Sequence, residues 1–276
     1  MGSFMTPRRD SKYSMAKSLS HRPRKRFGQN FLHDPQVIQR IVNSIRPREG
    51  QSMVEIGPGE GALTGELLSI LGQLDVVELD RDLIPVLESK FSKLGELRIY
   101  QADALKFDFC QLSPGPAQLR VVGNLPYNIS TPLLFHLLEM SHCIQDMHFM
   151  LQKEVVERIT AHPGSGQYGR LSVMMQYHCQ TEMLFTVGPG AFRPAPKVES
   201  AIVRLTPYRQ PPVEVDPDTL AKLVARAFGQ RRKTLRNNLK GLLDTSAIEA
   251  AGIDPGVRPE RLSLAEFARL AQALDS

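Results

Sequence analysis

The chain has 276 residues, 42% hydrophobic and 23% charged, which suits a globular protein with one large domain and room for a small one. It contains no apolar run of the ~18 residues a membrane helix needs, so a membrane protein is not expected. The net charge of +5 is unevenly spread: residues 1–30 hold eight Lys/Arg against one Asp, and "RAFGQRRKTLRNNLK" at 226–240 holds six basic residues and no acid. Two basic segments on a slightly acidic body point to a polyanionic partner, nucleic acid foremost. A solvated basic helix plus a disordered tail is the plain alternative. Cys110, Cys143 and Cys179 have spacings that suit neither a disulfide framework nor a zinc site, so buried, reduced thiols and no metal are expected. The Arg- and Ser-rich start has a presequence's composition but no secretory apolar core. A cytoplasmic protein with a disordered basic leader over 1–21 is the expectation.

A β/α alternation begins near residue 36. "PQVIQRIVNSI" has helical spacing, "QSMVEIG" is a short apolar strand, and "GALTGELLSIL" is a helix. "QLDVVELD", "LIPVLESKF", "LRIYQAD" and "LRVVGN" continue as strand, helix, strand, strand. The helix "TPLLFHLLEM", the strand "DMHFMLQ" and the amphipathic "KEVVERIT" follow. Short strands alternating with helices imply a parallel sheet covered on both faces. Beyond residue 160, "YGRLSVMMQYH" is helix-like, while "TEMLFTV" and "ESAIVRLTPY" suit an antiparallel addition at the sheet's edge. The Pro-rich "TPYRQPPVEVDPD" at 206–218 marks a domain boundary. After it, "TLAKLVARAF", "KTLRNNLKGLL" and "SLAEFARLAQAL" read as a small all-α domain. The predicted organisation is a leader (1–21), an α/β domain (22–207) and a helical domain (208–276).

Ligands of open α/β sheets bind beyond the carboxyl ends of the strands. Here those ends carry "EIGPGEGA", Glu78, Asp103 and Asn124. Gly57-Pro58-Gly59-Glu60-Gly61-Ala62 fits the dinucleotide pattern, with Glu78 about 20 residues on, so hydride transfer stays open. Against it, Pro58 removes a backbone N–H, and the flanking Glu55 and Glu60 would repel a diphosphate. A cationic, phosphate-free nucleoside such as S-adenosylmethionine fits better. Glu78 would accept from its ribose hydroxyls and Asp103 from its adenine amine. Either acid could instead be a cap or a surface carboxylate, Asp103 most simply a cap for "ALKF".

"NLPYNIS" at 124–130 could be no more than an Asn-Pro turn. At a strand end beside a cofactor loop it suggests more. An exocyclic amine conjugated to a base is a poor nucleophile until acceptors engage both N–H groups. Asn124 and the carbonyl of Leu125 or Pro126 can supply them, and Tyr127 offers an exposed flat face for stacking. The four residues match the amino-methyltransferase signature [N/D/S]-[I/L/P]-P-[Y/F/W]. The seven histidines are scattered and receive no role.

Over residues 22–267 the chain closely resembles the KsgA family of small-subunit rRNA adenine dimethyltransferases. The resemblance rests on "RKRFGQNFL", "EIGPGEGALT", "NLPYNIS", "LQKEVVERI", "FRPAPKVESAIV" and "FGQRRKTLRNNL", in that order. It implies a Rossmann-like class I methyltransferase sheet, S-adenosylmethionine as cofactor, and dimethylation at N6 of two adjacent adenosines in a 3′-terminal hairpin loop of 16S rRNA. The implied partner is the assembling 30S particle, and the protein is expected to be a monomer. Implied cofactor contacts are Asn30, Leu32, Gly57, Glu78, Asp103 and Asn124, with Gln29 and Ala104 as neighbours. Tyr127 and Phe192 would sandwich the target base, with Phe192 at the exposed tip of a proline-held loop. Arg24, Lys25 and Arg26, with Arg231, Arg232, Lys233 and Arg236 on a helix, would grip the rRNA backbone. The rival readings are a macrolide-resistance type methyltransferase of large-subunit rRNA, a non-catalytic assembly factor and a nicotinamide oxidoreductase.

Overall fold

The computed structural model describes residues 30–230 and 232–274. The leader, Arg24, Lys25, Arg26, Gln29 and Arg231 lie outside the described residues.

The chain opens with a two-residue strand β1 (Phe31–Leu32) and helix α1 (Pro35–Ile45). The Asp34 side chain accepts from the N–H groups of Gln36 and Val37, and Pro35 loses no bond in the first turn. One face, Ile41, Val42 and Ile45, is buried. The alternation continues through β2 (Met53–Ile56), α2 (Ala62–Leu71), β3 (Gln73–Glu78), α3 (Ile84–Phe91), β4 (Glu96–Gln101), β5 (Leu119–Asn124), α4 (Ser130–Glu139), β6 (Ile144–Gln152) and α5 (Lys153–Ile159). Then come α6 (Arg170–His178), β7 (Cys179–Val187), β8 (Phe192–Arg193) and β9 (Ser200–Pro207). The chain closes with α7 (Pro217–Ala227), α8 (Leu235–Asn238), α9 (Thr245–Ala250) and α10 (Leu264–Gln272).

The main sheet runs β4-β3-β2-β5-β6-β9-β7. Strands β4 through β6 are parallel, while β9 is antiparallel to both β6 and β7. The expected α/β sheet with an antiparallel edge is the fold. Because chain order reverses between β2 and β5, their carboxyl ends open a crevice at the centre.

Three apolar clusters organise the interior. One lies between the sheet and α4, around Leu133, Leu137, Phe109 and Phe149. A second packs α1 and α2 on the other face through Ile41, Ile45, Leu67 and Leu71. The third joins Leu223, Leu235, Ile248 and Phe267 of the C-terminal helices. Helix α6 serves two of them: Leu171 and Met175 enter the sheet core, Val173, Met174 and Tyr177 the helical one. It is apolar around most of its circumference because it is covered from both sides.

Two expectations need correction, and one pairing has no counterpart in the sequence reading. "KTLRNNLKGLL" is not one helix; only Leu235–Asn238 is helical. The buried Asn238 amide donates to the carbonyls of Gln230 (3.2 Å) and Lys233 (3.3 Å), tying that basic stretch back to α8, and Gly241 follows at φ +82°. The short strands β1 and β8 pair with each other, Leu32 opposite Phe192, in a contact 160 residues apart that local periodicity could not show. Finally, Cys110 and Cys143 are not separate buried thiols. Their Cα atoms are 5.6 Å apart and their sulfurs are bonded. The 3-10 turn Phe109–Leu112 packs on the turn after α4 and brings them together from 33 residues apart. Only Cys179 is the expected buried free thiol, pushed up to about 12 by burial.

Candidate active site

A cavity of about 320 Å³ occupies the crevice. Most of the residues singled out in the sequence line it: Asn30, Leu32, Gly57, Glu78, Asp103, Ala104, Asn124, Leu125, Pro126 and Tyr127. Its floor is the glycine loop. Gly59 has φ +59°, and a Cβ there would stand 2.9 Å from the Phe31 ring, which also lines the cavity. Gly61 has φ +81°, and a Cβ there would meet the Phe91 ring at 2.3 Å. Larger residues would push the loop away from helix α3 or into the cavity.

Glu78 ends β3 and is 7% exposed. Its Oε1 accepts from the Asp80 N–H at 2.8 Å, and its Oε2 from the Gly59 N–H at a long 3.4 Å. Burial raises its pKa above the usual carboxylate value, and those two N–H groups oppose the rise. Glu55 behaves differently from expectation. It does not face a ligand across the loop; it is buried beneath it, where Thr64 Oγ1 donates to Oε2 at 2.6 Å. Desolvation raises its pKa to about 7, with the Thr64 bond opposing and the nearby Glu78 charge adding. Asp103 caps no helix; its Oδ1 accepts from the Leu105 N–H at 3.0 Å in a tight turn after β4.

The Asn124 side chain sits at the end of β5 with its orientation set. Its Nδ2 donates to the Asn30 carbonyl at 3.0 Å, which leaves Oδ1 as the acceptor for a ligand. The two carbonyls after it are not equivalent. The Pro126 carbonyl accepts from the Ile129 N–H at 3.1 Å in the turn leading into α4. Tyr127 is half-buried rather than exposed, and its hydroxyl bonds Ser200 Oγ at 2.7 Å. Burial raises its pKa while the Ser200 bond opposes. Ser200, the first residue of β9, was not singled out, because its partner is 73 residues away.

Phe192 is the clear correction. It is 3% exposed, packs with Leu32, Val187 and Ile202, and does not line the cavity. Its pairing with Leu32 turns the ring into the core, while Arg193 beside it is exposed. Among the described basic residues of the C-terminal cluster, Arg232, Lys233 and Arg236 are exposed, on the stretch that Asn238 pins and on α8.

The cavity lining decides the ligand's character. Among the described residues it carries three carboxylates, Glu60, Glu78 and Asp103, and no Lys, Arg or His. That suits a cation and not a diphosphate. The family model described as ribosomal RNA adenine dimethylase matches residues 20–276. The chain belongs to the ribosomal RNA adenine dimethylase family. A curated relative from Pseudomonas aeruginosa, named ribosomal RNA small subunit methyltransferase A, is 62% identical over 94% of this chain and 97% of its own. Its namesake from Hahella chejuensis is 59% identical over 92% and 94%. Among solved structures, a dimethyladenosine transferase from Plasmodium falciparum aligns with a TM-score of 0.76 at 24% identity, over 87% of this chain and 95% of that one. The 23S rRNA methyltransferase ErmE aligns at 0.70 and 29% identity, over 90% and 100%. This family member is an enzyme, an rRNA adenine methyltransferase, built on the class I methyltransferase fold. No helix among its described residues is long and apolar enough to cross a membrane.

Proposed function

We propose that the chain transfers methyl groups from S-adenosylmethionine to N6 of two adjacent adenosines in the 3′-terminal hairpin loop of 16S rRNA, giving N6,N6-dimethyladenosine in the assembling 30S particle. Relatives about 60% identical over nearly the whole chain carry the small-subunit name. The observation that carries the reading is the acid-lined cavity, which Asn124 and Tyr127 also line. When bound, the cofactor supplies a methyl group on a positively charged sulfur.

Each protein group has a role that its geometry supports. Glu78 Oε2, only loosely held by Gly59, accepts from the ribose hydroxyls. Asp103 accepts from the cofactor's adenine amine. Asn30 holds the Asn124 amide so that Oδ1 takes one N–H of the target amine. The Leu125 carbonyl takes the other, while that of Pro126 already accepts one bond from the Ile129 N–H. With both N–H groups engaged, the nitrogen lone pair is freed from the ring and needs no strong base. The Tyr127 ring, fixed by Ser200, stacks the extruded base, worth roughly 1–3 kcal/mol. Catalysis is then mainly positioning of two reactants. The second jaw assigned to Phe192 is not presented to the cavity in this fold.

Residues 22–207 form the catalytic domain and 208–276 a helical domain whose Arg232, Lys233 and Arg236, with Arg231, meet rRNA phosphates. Arg24, Lys25 and Arg26 do the same from the N-terminal side. We place the protein in the cytoplasm as a monomer. Mass spectrometry of adenines after incubation with unmethylated small and large subunits tests the whole reading. Dimethyladenosine on the small subunit alone is expected. Product on the large subunit would favour the ErmE-like activity, and none on either would favour a non-catalytic assembly factor.

A further inference from the structure

Two segments leave the cavity and meet again at a pair of sulfurs. The chain after Asp103 runs through Phe107 and Phe109 to Cys110, while α4, which follows the Asn124 loop, ends in the turn Met140–Cys143. The two Cα atoms are 5.6 Å apart, and His142 Nε2 lies 3.4 Å from Cys110 Sγ. Cys143 is 4% exposed and lies over the Met140 carbonyl at 3.1 Å, whereas Cys110 is partly exposed and His142 exposed. Cys110 and His142 therefore form the more accessible side of the group, and Cys143 backs onto the core. A partly exposed thiol beside an imidazole is a reactive arrangement, unlike the inert burial of Cys179.

We propose that Cys110, Cys143 and His142 form a reversible thiol–disulfide site, oxidised by a small disulfide such as glutathione disulfide. The oxidised form tethers the Asp103 segment to α4 and so adjusts cofactor binding. In the reduced protein, His142 accepts the Cys110 thiol proton. The Cys110 thiolate attacks one sulfur of glutathione disulfide, giving a mixed disulfide and one glutathione thiolate, which takes that proton. The Cys143 thiol loses its proton as its sulfur attacks Cys110 Sγ; the internal bond forms and the second glutathione leaves as a thiol. Two protein thiols are oxidised and one glutathione disulfide is reduced to two thiols. Excess thiol runs the sequence backwards.

The tether adds to contacts that remain without it. His136 Nε2 lies 3.0 Å from the Phe107 carbonyl, the Phe109 N–H points at Met140 Sδ at 3.3 Å, and Ser113 Oγ donates to the Cys143 carbonyl at 3.3 Å. Reduction therefore loosens the segment without releasing it, and a graded change in cofactor affinity is expected rather than loss of activity. The effect on affinity rests on the reading of Asp103 proposed above; the thiol chemistry does not. The same three side chains have ligand atoms within 4.8 Å of one another, so capture of a thiophilic metal by the reduced site is the competing outcome.

The full-length protein is equilibrated across glutathione redox ratios, alkylated, and its free thiols located by peptide mass mapping. Cys110 and Cys143 should become protected together while Cys179 does not change. The oxidised protein should show a KM for S-adenosylmethionine roughly threefold or more away from the reduced value. Cys110→Ser and Cys143→Ser should abolish that difference and behave as the reduced protein in both buffers. His142→Gln should slow oxidation about tenfold with the same end point. Full alkylation of both cysteines in excess glutathione disulfide, one zinc retained per chain by native mass spectrometry, or equal KM in both states would each overturn the proposal. If the pair closes but neither state methylates rRNA, the functional reading of the cavity fails instead, and the coupling to it with it.

Discussion

Replacing Glu78 by alanine tests the cofactor site most directly. The carboxylate is 7% exposed, so the cost of desolvating it has already been met by the fold before ligand arrives. Its Oε1 is committed to the Asp80 N–H at 2.8 Å, but the 3.4 Å contact from Gly59 to Oε2 is long for an N–H···O bond and leaves acceptor capacity. A hydrogen bond to a charged group contributes about 1.5–3 kcal/mol. Two such bonds to a ribose diol, less the weakening of the Gly59 contact, give a loss of roughly 2–4 kcal/mol in Glu78→Ala, or about 30- to 1000-fold in Kd. Glu78→Gln keeps one acceptor and the shape and should lose about tenfold. The ionised form does the binding and its pKa is raised, so wild-type affinity should fall with acidification at higher pH than for an ordinary carboxylate. Titration calorimetry with S-adenosylmethionine, with thermal melts confirming folding, gives the numbers. Unchanged affinity in a folded Glu78→Ala protein would refute the ribose assignment.

Asn124→Ala should bind rRNA as wild type in filter assays yet slow single-turnover methylation about 10²–10³-fold, the usual cost of removing one oriented polar partner from a transition state. Glu55→Gln probes the buried acid. Its folded pKa of about 7 lies above the unfolded value, so wild type carries no penalty below about pH 4.5 and a growing one up to pH 7. Urea unfolding should show the variant more stable by up to about 3 kcal/mol at pH 8 and level with wild type near pH 4.5. Phe192→Ala should lower stability by about 3–5 kcal/mol in the same assay, as expected of a core ring and not of a surface jaw. Alanine at Arg232, Lys233 and Arg236 together should weaken rRNA binding and flatten its salt dependence by roughly 0.7–0.9 logarithmic units per lost phosphate contact.

Much of this site can be read locally. Gly57 and Gly59 of the glycine loop, an acid 21 residues after Gly57, and "NLPY" after an apolar run are features of short segments, and all line one cavity. Phe192 and Tyr127 show where local reading stops. Aromatic residues near Pro and Gly look exposed in sequence, but Leu32 covers one ring and Ser200 anchors the other's hydroxyl, from partners 160 and 73 residues away. Glu55 similarly looks like a loop charge, until Thr64 and the packed sheet enclose it.

By itself, the sequence determined the seven strands of the main sheet and the helices between them, the α/β class and the residues at the strand ends, because hydrophobic periodicity and turn chemistry act over a few positions. Tertiary structure alone decided which of those ends converge, that Phe192 is core, and that Cys110 meets Cys143. Each depends on contacts between distant segments, whose formation is governed by the packing of the whole sheet and not by any stretch of chain.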